Sequence, residues 1–409
     1  MKKLFITAMI VARYVKHQVP GIHKHLWMWA SVLVCGLVLT ACSNDDDAVT
    51  PADEVEAQLQ QMTLREKVGQ MFYIRLESLD PSIEWTTYDD LANIKILEVT
   101  ENIKRTNKDY PVGGIILYAW NIDTEEQLAR IIPQIRQLNG NPLLCIDEEG
   151  GRVARIANNG NFAVEKFESM SAIGATGDAQ NAYHCGNTIG TYLLRYGFDI
   201  DFAPVADVNT NPENIVIGAR AFSDNPEVAA PMVVSYLQGL KDAGVTGCIK
   251  HFPGHGDTKA DTHFGYAQSL KTWAEMLSCE MTTFKAGIAW GAQLIMTAHI
   301  ATPNVTGSDI PATMSSFILQ DKLRGELGYR NIIITDAMEM GAITLQYTNA
   351  EAAVGTLLAG ADIVLGPQNF VGAFDAVIKA VEDGTLTEER INQSVRRILK
   401  MKKQIKDNR

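Results

Sequence analysis

From about residue 54 onward the chain repeats one pattern: a short apolar run, a turn, then a longer segment whose apolar positions fall three and four apart. Runs of four to eight apolar residues bounded by turn residues read as buried strands, and the three-and-four spacing reads as amphipathic helix. The predicted strands are 68–76, 113–119, 142–147, 198–205, 247–251, 293–298, 331–336 and 362–366. Asp123-Thr124-Glu125-Glu126 opens a helix predicted to reach Leu138, followed by helices over 178–196, 226–243, 272–289, 315–327 and 349–359. Gly291, Gly328 and Gly360 close the last three, and helices over 371–382 and 387–403 end the chain. Eight strands alternating with helices predict an α/β fold of the (β/α)8 TIM-type barrel, in a single domain. An open doubly wound sheet is the rival, but no Gly-x-Gly-x-x-Gly turn supports it. Residues 77–109 exceed a usual barrel connection and predict an insertion near the mouth or side.

The N-terminus breaks this pattern. Lys2, Lys3, Arg13, Lys16 and Lys24 precede an apolar run from Leu26 to Leu39, and Ala41-Cys42 and a polar Ser-Asn-Asp stretch follow. That is the layout of a secretory signal, and about fourteen apolar residues fall short of the ~20 that span a bilayer. The segment resembles a bacterial lipobox, which implies cleavage before Cys42 and a lipid on its sulfur. The boundaries expected are a signal over 1–41, a lipidated Cys and polar tether over 42–54, and the barrel over 55–409. The expected location is exported and lipid-anchored to the cell envelope.

The composition narrows the partners. The chain has 409 residues, is 46% hydrophobic and carries a formal charge of -12. A chain this acidic argues against nucleic acid or an acidic surface as partner, since phosphate binding needs a concentrated basic face. Of the six Cys, Cys145, Cys185, Cys248 and Cys279 fit neither a zinc motif nor a disulfide framework and read as core.

Charged residues gather where the predicted strands end. Lys250-His251-Phe252-Pro253-Gly254-His255-Gly256-Asp257 follows the fifth strand and runs on through Asp261-Thr262-His263. The third strand ends in Asp147-Glu148-Glu149-Gly150-Gly151-Arg152-Val153-Ala154-Arg155. The fourth leads to Asp201, Asp207 and Arg220, the sixth to His299, and the seventh to Thr335-Asp336-Ala337-Met338. Any one could be a structural ion pair. Five converging on one rim predict an active site.

Lys250-His251-Phe252-Pro253-Gly254-His255-Gly256 with Asp261-Thr262-His263 downstream, the Ile146-to-Arg155 run and Thr335-Asp336-Ala337-Met338 resemble the β-N-acetylglucosaminidases of glycoside hydrolase family 3, over residues 58 to 403. The resemblance implies a single-domain, monomeric, retaining exo-enzyme acting on N-acetylglucosamine-containing glycans such as peptidoglycan fragments, without metal or organic cofactor. It implies Asp336 as nucleophile, His263 as acid/base and Asp261 as its orienting partner. Asp147, Arg155, Arg220, Lys250 and His251 are implied to hold the sugar.

The chemistry agrees with that assignment. A retaining hydrolase needs an ionised carboxylate on one side of the anomeric carbon and a proton donor on the other, and a His beside an Asp can donate and recover a proton near neutral pH. Gly254, Gly256 and Gly265 predict hinge-like freedom in the loop, and His255 is open between shaping it and taking part in the chemistry. Three alternatives remain: a metal site from His251, His255, Asp257, Asp261 and His263; a sugar-binding lipoprotein without activity; and a phosphorylase, since an imidazole does not repel phosphate.

Overall fold

The structure is a computed structural model that describes residues 51–84, 90, 93–259 and 265–408. Residues up to Glu54 form one unit, described only where the helix Pro51–Gln61 begins, and Val55–Arg409 form the compact body. The described residues contain ten strands, β1 to β10 in chain order. The barrel consists of β1 (Phe72–Arg75), β2 (Gly114–Ile116), β3 (Leu143–Ile146), β4 (Ile200–Asp201), β5 (Thr246–Phe252), β7 (Leu294–Thr297), β9 (Ile332–Thr335) and β10 (Val364–Leu365). They pair in parallel in the order β10-β1-β2-β3-β4-β5-β7-β9, and a parallel bridge from Ile334 to Ile363 joins the two ends. β6 (Ala267–Gln268) and β8 (Ile300–Ala301) form a separate two-stranded ribbon.

These segments are strands because helices cover them on one face and the barrel interior on the other, so both sides of each strand are buried. β1, β2, β3, β7 and β9 are buried at every position. Helix starts follow the side chains expected of them. Thr124, Asp178, Asn225, Thr348 and Thr387 each accept a hydrogen bond from a backbone N–H of the first turn.

The structure corrects four expectations. Val68 is helical, because a Thr63/Glu66 capping box starts a helix Leu64–Gln70, and the first strand begins only at Phe72. The helix predicted over 272–289 is two, Trp273–Ser278 and Glu280–Trp290, meeting at Cys279. The segment Phe317–Glu326 winds as a wider π-helix, with Leu327 N–H bonded to Lys322 O at 2.9 Å. Gly254 and Gly256 are packing positions: a Cβ on Gly256 would lie 2.0 Å from Val208 O, and one on Gly254 2.4 Å from the Glu280 side chain. Close approach, not hinge motion, accounts for glycine there.

One carboxylate ties together described parts of the insertion after β1. Asp80 accepts hydrogen bonds from Ser82, Thr100 and Asn102, which ties the turn after β1 to the helix Glu101–Asp109. At the opposite, N-terminal end of the barrel lies the last helix, Glu388–Asp407. Arg397 bonds Asp362 just before β10 at 2.8 Å, and Lys402 donates to the carbonyls of Gly140 and Asn141 just before β3. The helix therefore crosses the floor of the barrel.

Candidate active site

The mouth is built from the residues that follow β3, β4, β5, β7 and β9. Parallel strands all end on the same rim, so charges far apart in sequence become neighbours. The Lys250 ammonium, on β5, lies 2.9 Å from Asp147 Oδ1 and 2.6 Å from Glu149 Oε1. Arg155 reaches the other Asp147 oxygen at 3.3 Å, and Arg220 grips Glu149 with two bonds of 2.7 and 2.8 Å. Burial alone would push both carboxyls up. Lys250 and Arg155 nevertheless hold Asp147 below the usual carboxylate range, and Arg220 and Lys250 hold Glu149 far below it. The same pairing raises Lys250 and Arg220 against the opposing effect of burial, so all four groups stay charged.

Glu148 lies between these two acids and does different work. It accepts backbone N–H bonds from Arg155, Ile156 and Ala157 and the hydroxyl of Tyr192, and burial raises its carboxyl. It folds the loop back so that Arg155 faces Asp147.

His251 is oriented from behind. Its Nδ1 lies 2.7 Å from Asp207 Oδ2, which fixes that nitrogen as the donor and leaves Nε2 on the Arg220 side, 3.4 Å from the guanidinium. Asp207 also accepts the backbone N–H groups of His251 and His255, and despite burial its carboxyl is lowered by His251. The His255 ring lies 6.0 Å from that of His251 and bonds the Thr258 hydroxyl through Nδ1. Burial, assisted by His251, lowers His255 to about 4, so it is neutral at physiological pH. Its ring and backbone are tied into the loop through Thr258 and Asp207.

Asp336 follows β9 at the rim, half-buried. Its N–H bonds Thr297 O at 3.0 Å, and its Oδ1 accepts the Ala337 N–H at 2.8 Å. The Thr335 hydroxyl accepts the Leu365 N–H from β10, and His299 Nε2 donates to Ala337 O at 3.0 Å. Three neighbouring elements thus hold this one turn, and the Asp336 charge is felt at His255. An unbroken series of contacts runs from Arg155 through Asp147, Lys250, Glu149, Arg220 and His251 to Asp207. Asp261, His263 and Cys42 lie outside the described residues.

Some participants had no individual role assigned from the sequence. Glu149 holds Lys250 and Arg220 in place and Asp207 holds His251, and their sequence signal was an acid shortly after a strand. Arg75, at the end of β1, is fully buried and bonds Glu339 at 2.7 Å, three residues beyond Asp336. Tyr118, after β2, has the guanidinium of Arg155 5.6 Å from its ring centre and Trp120 stacked on it at 4.7 Å. Among the described residues no group of three His, Cys, Asp or Glu is placed to hold a metal ion. Asp257, a ligand only in the metal-site alternative, bonds Ser269 and faces Lys271.

Residues 63–401 match the glycosyl hydrolase family 3 N terminal domain. The chain belongs to glycosyl hydrolase family 3. Within the family it is similar to beta-hexosaminidase A of Pseudoalteromonas piscicida, 34% identical over 334 residues that cover 75% of this chain and 55% of the relative. It is also similar to a beta-hexosaminidase of Tolumonas auensis, 34% identical over 64% of this chain and 77% of that one. The solved glycoside hydrolase family 3 beta-N-acetylglucosaminidase from Paenibacillus sp. str. FPU-7 superposes with a TM-score of 0.75 at 35% identity, over 84% of this chain and 63% of that one. The chain thus spans little more than half of the Pseudoalteromonas relative and under two thirds of the Paenibacillus protein.

Proposed function

We propose that this family 3 member is a retaining exo-β-N-acetylglucosaminidase that removes terminal N-acetylglucosamine from peptidoglycan fragments or other amino-sugar glycans. The observation that carries the reading is Asp336, whose carboxyl is fixed by its neighbours at the tip of β9 beside a ring of paired charges. A rigid, oriented carboxylate is what attack on an anomeric carbon requires. In the first half of the reaction an Asp336 oxygen bonds to C1, the C1–O bond to the leaving group breaks, and that oxygen takes a proton from His263. In the second half His263 takes a proton from water, whose oxygen bonds to C1 and releases Asp336. Asp261 orients His263. The N-acetyl group is recognised and does not act as the nucleophile, because a protein carboxylate fills that role.

Asp147 and His251 Nε2 accept from sugar hydroxyls while Lys250, Arg155 and Arg220 donate. Their mutual pairing sets the geometry before substrate arrives, which limits the entropy lost on binding. The enzyme works as a monomer, with a signal over 1–41 and a lipidated Cys42 leading into the barrel. Release of an aryl alcohol from an aryl N-acetyl-β-glucosaminide tests the reading. Free N-acetylglucosamine is the expected product with or without phosphate, whereas a sugar 1-phosphate makes the protein a phosphorylase, and sugar affinity without turnover makes it a binding protein.

A further inference from the structure

The chain's net charge of -12 conceals a local reversal. The last helix, Glu388–Asp407, carries seven Lys and Arg against three acids. Its outer side borders a groove of about 340 Å³ across the floor of the barrel, between the starts of β7 and β9. Arg330, Arg396, Arg397 and Lys400 line this groove, and no acid does. Two of the four are partly neutralised: Arg397 pairs with Asp362, and Arg396 pairs with Glu56 and, more distantly, Glu389. Arg330 directs its guanidinium to the carbonyls of Arg324 and Tyr329. Both Arg330 and Lys400 are exposed, and neither makes an ion pair among the described residues. Lys403 and Lys406 extend the positive strip along the same helix, with Asp407 paired to Lys403 at 3.3 Å.

Glu56 also marks where the body begins. It belongs to the first helix, and its bond of 2.8 Å to Arg396 brings the start of the body beside the groove, on the side of the barrel away from Asp336. We infer that the groove formed by Arg330, Arg396, Arg397 and Lys400 is a docking surface for the phosphate headgroups of an anionic bilayer, holding the barrel floor to the membrane and the mouth outward. Charge complementarity supplies the attraction, and a cluster of Lys and Arg at a bilayer surface gains from each headgroup it meets. The patch lies beside the start of the body, so it would add its attraction to any lipid at Cys42, and that addition rests on the lipidation proposed above. Whole-chain charge pointed away from an acidic surface because it averages over this strip.

The test uses full-length protein carrying Cys42→Ala, which has no lipidation site, sedimented with vesicles. An equal mixture of phosphatidylcholine and phosphatidylglycerol is compared with phosphatidylcholine alone. Binding only to the mixed vesicles, weakened by added salt, is expected. Binding should fall about tenfold or more in R330Q/K400Q and in a second variant, K400Q/K403Q, which leaves the Arg330 contacts intact. K166Q, an exposed charge on a mouth-side loop, should bind like the parent. Hydrolysis of a soluble aryl glycoside should be unchanged in all of them. Equal binding by parent and both groove variants, or equal binding to the two vesicle types, overturns the proposal. Complete displacement by millimolar inorganic phosphate that itself binds the protein makes the groove a free-anion site and also overturns it.

Discussion

Lys250 places its ammonium 2.9 Å from the carboxylate of Asp147, joining the end of β5 to the end of β3 across the barrel mouth. The same ammonium serves Glu149, so the two acids share one cation, and each has an arginine besides: Arg155 on Asp147 and Arg220 on Glu149. Removing one partner of a buried, hydrogen-bonded charge group costs about 3–5 kcal/mol, since a charge is left uncompensated. Lys250→Met leaves Arg155 on Asp147 and Arg220 on Glu149, so it is expected to cost less than that, about 1–3 kcal/mol, and to abolish turnover. Asp147→Asn leaves Lys250 paired with Glu149 and should keep most of the stability. It should lower kcat/KM about 10–100-fold, the worth of a charged hydrogen bond. Urea unfolding with steady-state kinetics on both variants checks this.

Asp207 orients His251, which is proposed to hold the sugar. Asp207→Asn preserves shape but no longer enforces a donor at Nδ1, so Nε2 can take the wrong hydrogen-bonding role. The expected result is a drop in kcat/KM with a shifted pH profile and little change in unfolding midpoint. An unchanged profile would make Asp207 a purely structural acid.

His255 gives a pH dependence of known sign. Its folded value is lowered to about 4, while in the unfolded chain it protonates near 6.5. The unfolded state therefore takes up a proton first as pH falls, and stability drops through the window between those values. Between pH 7 and about pH 5 this amounts to about 2 kcal/mol. His255→Gln removes the effect, so the stability difference between parent and variant should shrink by about that much over the same interval. Lowered carboxyls such as Asp147 and Asp207 lose their contribution only further down, as pH falls through their folded values. Urea midpoints measured across the range decide it.

The barrel strands were legible because each is buried on two faces and so appears as a continuous apolar run. The start of β1 was not. Val68-Gly69-Gln70-Met71 is as apolar as a strand, and only the Thr63/Glu66 cap upstream separates the two readings. The candidate site was legible as a set of strand ends, but not the division of labour within it. Asp147, Glu148 and Glu149 are consecutive acids. Only the fold shows that the first and third meet Lys250 while the second turns away to bind the backbone of Arg155, Ile156 and Ala157. Gly256 looked like a hinge because sequence reports absence of a side chain, not the Val208 carbonyl that occupies its place.

His263, proposed as the acid, should matter in proportion to how badly the leaving group needs a proton. His263→Ala should lose on the order of 10²–10⁴-fold on a natural disaccharide, and far less on a dinitrophenyl glycoside whose phenolate leaves unaided. Kinetics on the pair of substrates give the answer. Equal loss on both would remove His263 from the acid role.

The account depends most on Asp336 as the nucleophile. A 2-acetamido-2-deoxy-5-fluoro glycoside slows breakdown of the covalent intermediate enough for the labelled peptide to be isolated and sequenced by mass. The expected result is one sugar on the peptide containing Thr335-Asp336-Ala337, and no label in Asp336→Ala. A label on another carboxylate, or turnover that persists in Asp336→Ala, would contradict the mechanism.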